Sequence, residues 1–184
     1  MSRKIIITGG TCSGKSTLIE ELSRRGYKTL PEAARTVIKR EQEKERSKDY
    51  KGIFPWTNLS EFQRLVLAEQ IDLESRISQN SLIFLDRSLI DALAFYEEGG
   101  LVVPDISEAI VSASYEQAFF LQSIPSYKKD DQRKEDHSRA IRLREIHLKH
   151  YAEQNFPFTF VPAWSVERRA DFLIQYIGGD NGLY

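Results

Sequence analysis

The sequence has 184 residues, 41% of them hydrophobic and 29% charged, with a formal net charge of −1. That supplies enough apolar material for the core of one domain of ordinary size, and too little net charge to draw the chain to nucleic acid or anionic lipid. The single cysteine, Cys12, excludes an internal disulfide and a cysteine-built zinc site, and points to a reducing, cytoplasmic setting.

The basic start Met1–Lys4 runs into an apolar stretch too short for a signal segment and followed by no small-residue cleavage site, so it is read as mature protein. No apolar run approaches membrane-spanning length. Lys4–Thr8 reads as a strand that is apolar on both faces, as strands covered by helices on both sides are. It leads into Gly9-Gly10-Thr11-Cys12-Ser13-Gly14-Lys15-Ser16-Thr17, whose Gly9, Gly14, Lys15 and Ser16 satisfy the phosphate-loop spacing in full. Each residue type has a reason there. Main-chain N–H groups from Gly10 to Ser16 can converge on an anion, and the glycines let the backbone come close to oxygen. Gly14 opens a helix whose positive end faces the phosphates. Lys15 places a compact charge on the β- and γ-phosphates, Ser16 offers a hydroxyl to Mg²⁺, and Thr17 can donate to the α-phosphate. Cys12 is read as a small filler of the loop rather than a redox sensor.

The helix Gly14–Arg25 stops at Gly26, suited to a left-handed terminus. Tyr27–Leu30 is the second strand. Pro31 then fixes the start of a helix, with Glu32 at the edge of the sheet and Arg35 three positions on. Two roles are open to Glu32: an acid facing the site, or one half of a helical ion pair with Arg35. Lys39–Gly52 is dense in charge and is expected to pass from a helix end into a mobile loop reaching about residue 58. Tyr50, Phe54 and Trp56 nearby are read as core, with stacking on an acceptor base as the other use. Ser60 and Gln63 suggest a capping box for a helix to about Gln79, carrying Phe62, Leu65, Val66, Leu73 and Ile77 on one face.

Leu82–Asp86 is an apolar strand ending in an acid. Parallel strands bring their C-terminal ends together, so Asp86 would lie beside the phosphate loop and could hold Mg²⁺ or take a proton. It could also cap the helix that follows. Arg87 next to it can reach phosphate. Asp91 is either a surface acid complementing the helix dipole or a substrate contact. Gln117–Leu121 and Phe158–Val161 complete the strands, and Ser165 is placed to cap a final helix bearing Val166, Ala170, Leu173, Ile174 and Ile177 on one face. Between these strands lies a basic insert, 126–145, holding Arg133, Lys134, Arg139, Arg142 and Arg144. Interleaved acids suit a solvated helix; its position suits a lid whose arginines arrive on closure. His137, His147 and His150 are read as surface residues, too loosely arranged for a metal. Strands alternating with amphipathic helices predict an α/β domain with a parallel sheet. Residues 1–184 are counted as one such domain.

With these stretches placed, the chain resembles P-loop small-molecule kinases, and more narrowly the NadR-like AAA-type ATPase/kinase family, related to ribosylnicotinamide and nucleoside kinases. The stretches are IIITGGTCSGKSTLIEEL, GYKTLPEAARTVI, LIFLDRSLIDALAFYEE, YKKDDQRKEDHSRA and FVPAWSVERRADFLIQYI. The resemblance implies a P-loop NTPase three-layer α/β/α sandwich with a five-stranded parallel sheet of order 2-3-1-4-5 and a basic lid. It also implies ATP with Mg²⁺, Glu32 as the acid or base at the acceptor, Asp86–Arg87–Ser88 as the acid-Arg-Ser motif, and Arg133 as a lid arginine. Lys15, Glu32, Asp86, Arg87 and Arg133 are thus the candidate catalytic residues, and Ser16 with Asp86 the candidate metal ligands. The expected activity is transfer of the ATP γ-phosphoryl group to a small hydroxylated acceptor such as a nucleoside or ribosyl compound; the alternative is a nucleotide-dependent switch working through a protein partner. Tyr127-Lys128-Lys129-Asp130 lacks the asparagine that guanine recognition ordinarily uses, which favours adenine. Whether Glu32 or Asp86 is the base stays open at this level, as does the oligomeric state.

Overall fold

A computed structural model describes residues 2–10, 13–47, 49–123 and 133–179, apart from the side chains of 133–137, 140 and 179. In chain order the elements are β1 (Arg3–Gly9), α1 (Lys15–Arg24), β2 (Lys28–Leu30), α2 (Ala33–Glu45), α3 (Leu59–Ser75), β3 (Leu82–Asp86), α4 (Leu89–Glu98), α5 (Ser107–Ala113), β4 (Tyr115–Leu121), α6 (Arg133–Glu153), β5 (Phe158–Val161) and α7 (Val166–Gly179). The five strands form one sheet in the order β2-β3-β1-β4-β5, every pair parallel, as the sequence predicts.

The two-residue period of β1 divides the core. Ile5 and Ile7 face α1 and α7, packing with Leu18, Leu22, Phe84, Phe119, Leu173 and Ile177. Ile6 faces the other way, with Leu85, Ile90, Leu93, Ala118 and Tyr151. Burial on both faces is why these strands read as unbroken apolar runs. In register, Ile7 lies opposite Asp86 on one side and Phe119 on the other, and Gly9 lies opposite Leu121. The phosphate loop and Asp86 therefore leave the same edge of the sheet. Gly26, with φ 89°, ends the first helix as expected, and Ser165 accepts from the Arg168 N–H at 3.3 Å, the expected cap of α7.

Three readings need correction here. The cap of α3 is Asn58, whose side chain accepts from the Glu61 N–H at 3.1 Å, not Ser60. Asparagine reaches the third amide as well as serine does, and Ser60 already lies inside the helix. The helix ends at Ser75, short of Gln79. Of the three aromatics expected in the core, only Phe54 is buried; Trp56 is 70% exposed and stacks on Phe54 at 5.0 Å. The segment carrying them is tied to Glu41, a fully buried carboxylate on α2 that accepts from the Tyr50 hydroxyl and the Ile53 N–H. Among the described residues, no helix is long and apolar enough to cross a membrane.

Candidate nucleotide and acceptor site

Gly9 can only be glycine. Its φ is 140°, and a Cβ there would stand 2.7 Å from the Leu121 carbonyl oxygen on the paired strand. Gly14, at φ 84°, turns the chain into α1. Thr11 and Cys12 lie outside the described residues, so the loop is seen at Gly9, Gly10, Ser13, Gly14, Lys15, Ser16 and Thr17. Lys15 is buried, and its Nζ donates to the Gly9 and Gly10 carbonyls at 2.9 and 2.8 Å. Burial, and then the nearby Arg87 guanidinium, push this amine down to about 7. Thr17 is exposed on α1.

Asp86 ends β3 and is 4% exposed. It is not a helix cap, because Ser88 caps α4 in a reciprocal box with Asp91. Its Oδ1 is buried with no hydrogen-bond partner among the described residues. Burial and the neighbouring Glu32 charge raise its carboxyl to about 6. An orphaned carboxylate oxygen at the sheet edge that the phosphate loop also leaves, together with the Ser16 hydroxyl of that loop, is the all-oxygen chemistry a magnesium ion accepts, so these residues fit that ion.

Glu32 borders α2 and meets two arginines. Arg87 Nε donates to Oε1 at 2.9 Å, and Arg35 Nε to Oε2 at 3.2 Å. Burial would push the Glu32 carboxyl up; the Arg87 charge above all, with Lys15 and Arg35, outweighs it and holds the group below its usual range. The helical ion pair with Arg35, one of the two roles left open by the sequence, is present. Arg87 itself sits at φ 78°, with its N–H on the Ile7 carbonyl at 3.1 Å and its guanidinium 4.7 Å above the Phe95 ring. A non-glycine residue in that conformation carries strain, here at the junction of β3 and α4.

Asp91 is not a surface acid. It is buried, and receives the Ser88 N–H at 2.9 Å, the Tyr151 hydroxyl at 2.9 Å, the Thr8 hydroxyl, and His147 Nε2 at 3.2 Å. Burial alone would raise its carboxyl; the His147 contact, then Arg87 and Thr8, hold it far below the usual range. The histidine reading is corrected with it. His147 is fully buried, its Nδ1 2.7 Å from the Leu143 carbonyl, and His150 is buried with Nε2 2.8 Å from Glu97. Both face inward because α6 packs along α4. The side chain of His137 is outside the described residues, as are those of Arg133 and Lys134. Of the expected lid, residues 126–132 are not described, and 133–145 form the first part of α6. Arg139 grips Glu98 with two bonds, at 2.6 and 3.1 Å, while Arg142 and Arg144 are exposed.

A cavity of about 300 Å³ opens between α2, α3 and α4. Glu32, Arg35 and Arg87 line one side, Phe62, Gln63 and Gln70 another, and Glu98 with Arg139 stands at its rim. Sequence reasoning missed the glutamines, although Gln63 stands one place from an apolar stripe, and it missed Arg169. That arginine of α7 is 1% exposed and donates to the Ser13, Gln122 and Pro162 carbonyls at 2.5, 2.9 and 2.9 Å. Nothing in the run Val166–Asp171 marks it, because its partners are main-chain oxygens, two of them distant in sequence.

A strand–loop–helix with the full phosphate-loop spacing, set on a parallel sheet of this order, defines a P-loop protein. Residues 4–169 match the family described as AAA domain, and the chain belongs to that family. No curated protein matches it. Among solved structures it is similar to a deoxyadenosine kinase from M. mycoides, with TM-score 0.64 and 18% identity over 96% of this chain and 99% of that one. It is also similar to a thymidylate kinase from Candida albicans, at 0.63 and 17%, over 98% of this chain and 92% of that one. A thymidylate kinase from Ehrlichia chaffeensis gives 0.63 and 14%, over 96% and 98%. At these identities the likeness is one of fold.

Proposed function

We propose that the chain is a kinase that moves the γ-phosphoryl group of ATP to a hydroxyl of a small acceptor, such as a nucleoside or other ribosyl compound. The observation that carries this reading is the roughly 300 Å³ cavity walled by the Glu32 carboxylate and by Arg35, which also bonds Ser16 of the phosphate loop. A switch that acts through a protein partner has no use for a second, ligand-sized pocket at that place. The solved structures of like fold include proteins described as deoxyadenosine and thymidylate kinases, which supports the same class.

The loop amides and Lys15 hold the triphosphate, and the Gly14–Lys15 helix start faces its charge. Ser16 and Asp86 would hold Mg²⁺, which when bound supplies positive charge to the phosphate oxygens. Glu32 lines the pocket and Asp86 does not, so Glu32 is assigned to the acceptor hydroxyl. It orients that hydroxyl and accepts its proton as the new bond forms. A carboxylate kept ionised by Arg87 is a weak base, and phosphoryl transfer asks little more than orientation of its nucleophile. Gln63, which makes no hydrogen bond among the described residues, offers an amide donor and acceptor to the polar edge of the acceptor, and Phe62 an apolar wall. Pooled nucleosides, nucleotides and pyridine ribosides, screened for ADP release from Mg·ATP, test the reading. Acceptor-dependent turnover is expected; slow hydrolysis indifferent to every pool would replace the kinase with the switch.

A further inference from the structure

Arg35 makes two contacts of different kinds. Its Nε donates to Glu32 Oε2 at 3.2 Å, the pairing of neighbouring turns that any surface helix shows. Its Nη2 donates to Ser16 Oγ at 3.0 Å, across 19 positions of sequence. The second contact is not needed for a helical ion pair. It brings a guanidinium from α2 onto the hydroxyl of the phosphate loop, while the same side chain lines the acceptor cavity. Arg35 therefore touches the donor side through Ser16 and the acceptor side through Glu32.

The other cations whose side chains are described around the site are engaged elsewhere. Lys15 is held by the Gly9 and Gly10 carbonyls, Arg87 by Asp91, His147 and Phe95 as well as by Glu32, Arg139 by Glu98, and Arg169 by three carbonyls. Arg35 is 68% exposed in its side chain, and its Nη1 makes no hydrogen bond among the described residues. It is a charged fork with a donor to spare, standing between the Ser16 hydroxyl and the Glu32 carboxylate.

We propose that Arg35 is a catalytic residue of the transfer, donating to the oxygens of the γ-phosphoryl group as it moves. This rests on the kinase reading. In the step, the bond from Pγ to the β,γ-bridging oxygen breaks and its electron pair leaves on ADP. A bond from Pγ to the acceptor oxygen forms, and the hydroxyl proton passes to the Glu32 carboxylate. The negative charge on the equatorial oxygens in mid-transfer is what a planar guanidinium serves, with two parallel donors. A Mg²⁺ held by the Ser16 oxygen would repel the guanidinium on that same oxygen, which would leave Nη2 for the phosphoryl oxygens.

The test compares wild type with Arg35→Gln and Arg35→Lys in two assays. The first is acceptor-dependent kcat beside the Kd of Mg·ATP. The second is the affinity of Mg·ADP with and without aluminium fluoride, a mimic of the transferring phosphoryl group, which needs no known acceptor. R35Q is expected to lose about 100-fold in kcat with Mg·ATP affinity within about threefold. It should also lose most of the affinity that aluminium fluoride adds to Mg·ADP, and R35K should recover part of both. R35Q within about threefold of wild type in either assay overturns the proposal, as does a loss of Mg·ATP affinity equal to the loss of turnover, which would make Arg35 a latch on the loop. If wild type phosphorylates none of the acceptors, the kinase reading is what fails. The fluoride assay then decides Arg35 alone: a loss in R35Q supports it as the charge partner of a phosphoryl group moved to water, and no loss rejects it.

Discussion

The donor half and the acceptor half of this site are built by different means. The proposed donor half is nine consecutive residues, Gly9–Thr17, and the binding groups proposed for it are main-chain amides at a helix start. The acceptor half is assembled from side chains of α2, α3, α4 and α6 that meet only when the chain folds. A main-chain nest is indifferent to what lies on the other side of the phosphate. A pocket of paired acids, arginines and glutamines is not. The first half can be shared among proteins of many activities, and the second decides what this one acts upon.

Substitutions can break that contrast. Lys15→Ala removes the single ammonium of the donor half; ATP turnover should fall by about a thousandfold or more, while the melting temperature holds or rises, since burying an amine whose pKa falls from 10.5 to about 7 works against folding at neutral pH. Retained turnover would dissolve the distinction between the halves. Glu32→Gln strikes the acceptor half alone: about a 100-fold loss of acceptor-dependent kcat is expected with ATP affinity unchanged, and the reverse pattern in a binding titration would move Glu32 to the donor side. Asp91→Asn should destabilise the fold by about 3 kcal/mol, because it uncouples a buried carboxylate from four partners; denaturant unfolding measures it.

The two aspartates respond to pH in opposite directions. Asp91 is held low, so its stabilisation is present above the usual carboxylate range and is lost as pH falls. Asp86 is raised from 3.8 to about 6, so its contribution is present below 3.8 and is lost as pH rises through 6. Its ionised form is the one a magnesium ion binds. Magnesium-dependent ATP binding should therefore strengthen as pH rises through about 6, by up to about tenfold per unit, and Asp86→Asn should flatten that profile. A profile unaffected by the substitution would remove Asp86 from the metal. Smallest of all, Glu98→Gln at the cavity rim should cost stability by less than about 1 kcal/mol, because its partner Arg139 is largely exposed.

What could be read in advance follows the same division. The strands, the phosphate loop and Asp86 at its strand end were legible because each is a local pattern: an apolar run, a glycine spacing, a terminal acid; the order of the strands came only from the family resemblance. Arg35 was visible as a helical neighbour of Glu32, but its bond to Ser16 depends on the angle at which α2 meets α1. His147 and His150 were misread for a related reason. They sit in a strongly charged helix with no clean apolar stripe, and only the packing of α6 on α4 shows which side is covered. Arg169 left no trace at all, since carbonyl partners belong to every residue type alike.

That arginine imposes a timetable on the molecule. The anion nest is encoded near the beginning of the chain, yet the Ser13 carbonyl is gripped by a residue synthesised some 150 positions later. A nascent polypeptide still lacking its final helix carries the whole fingerprint of a nucleotide binder without the brace that holds it in shape. The Ser13 end of the loop thus takes the shape seen in the structure only once α7 has been made and has docked.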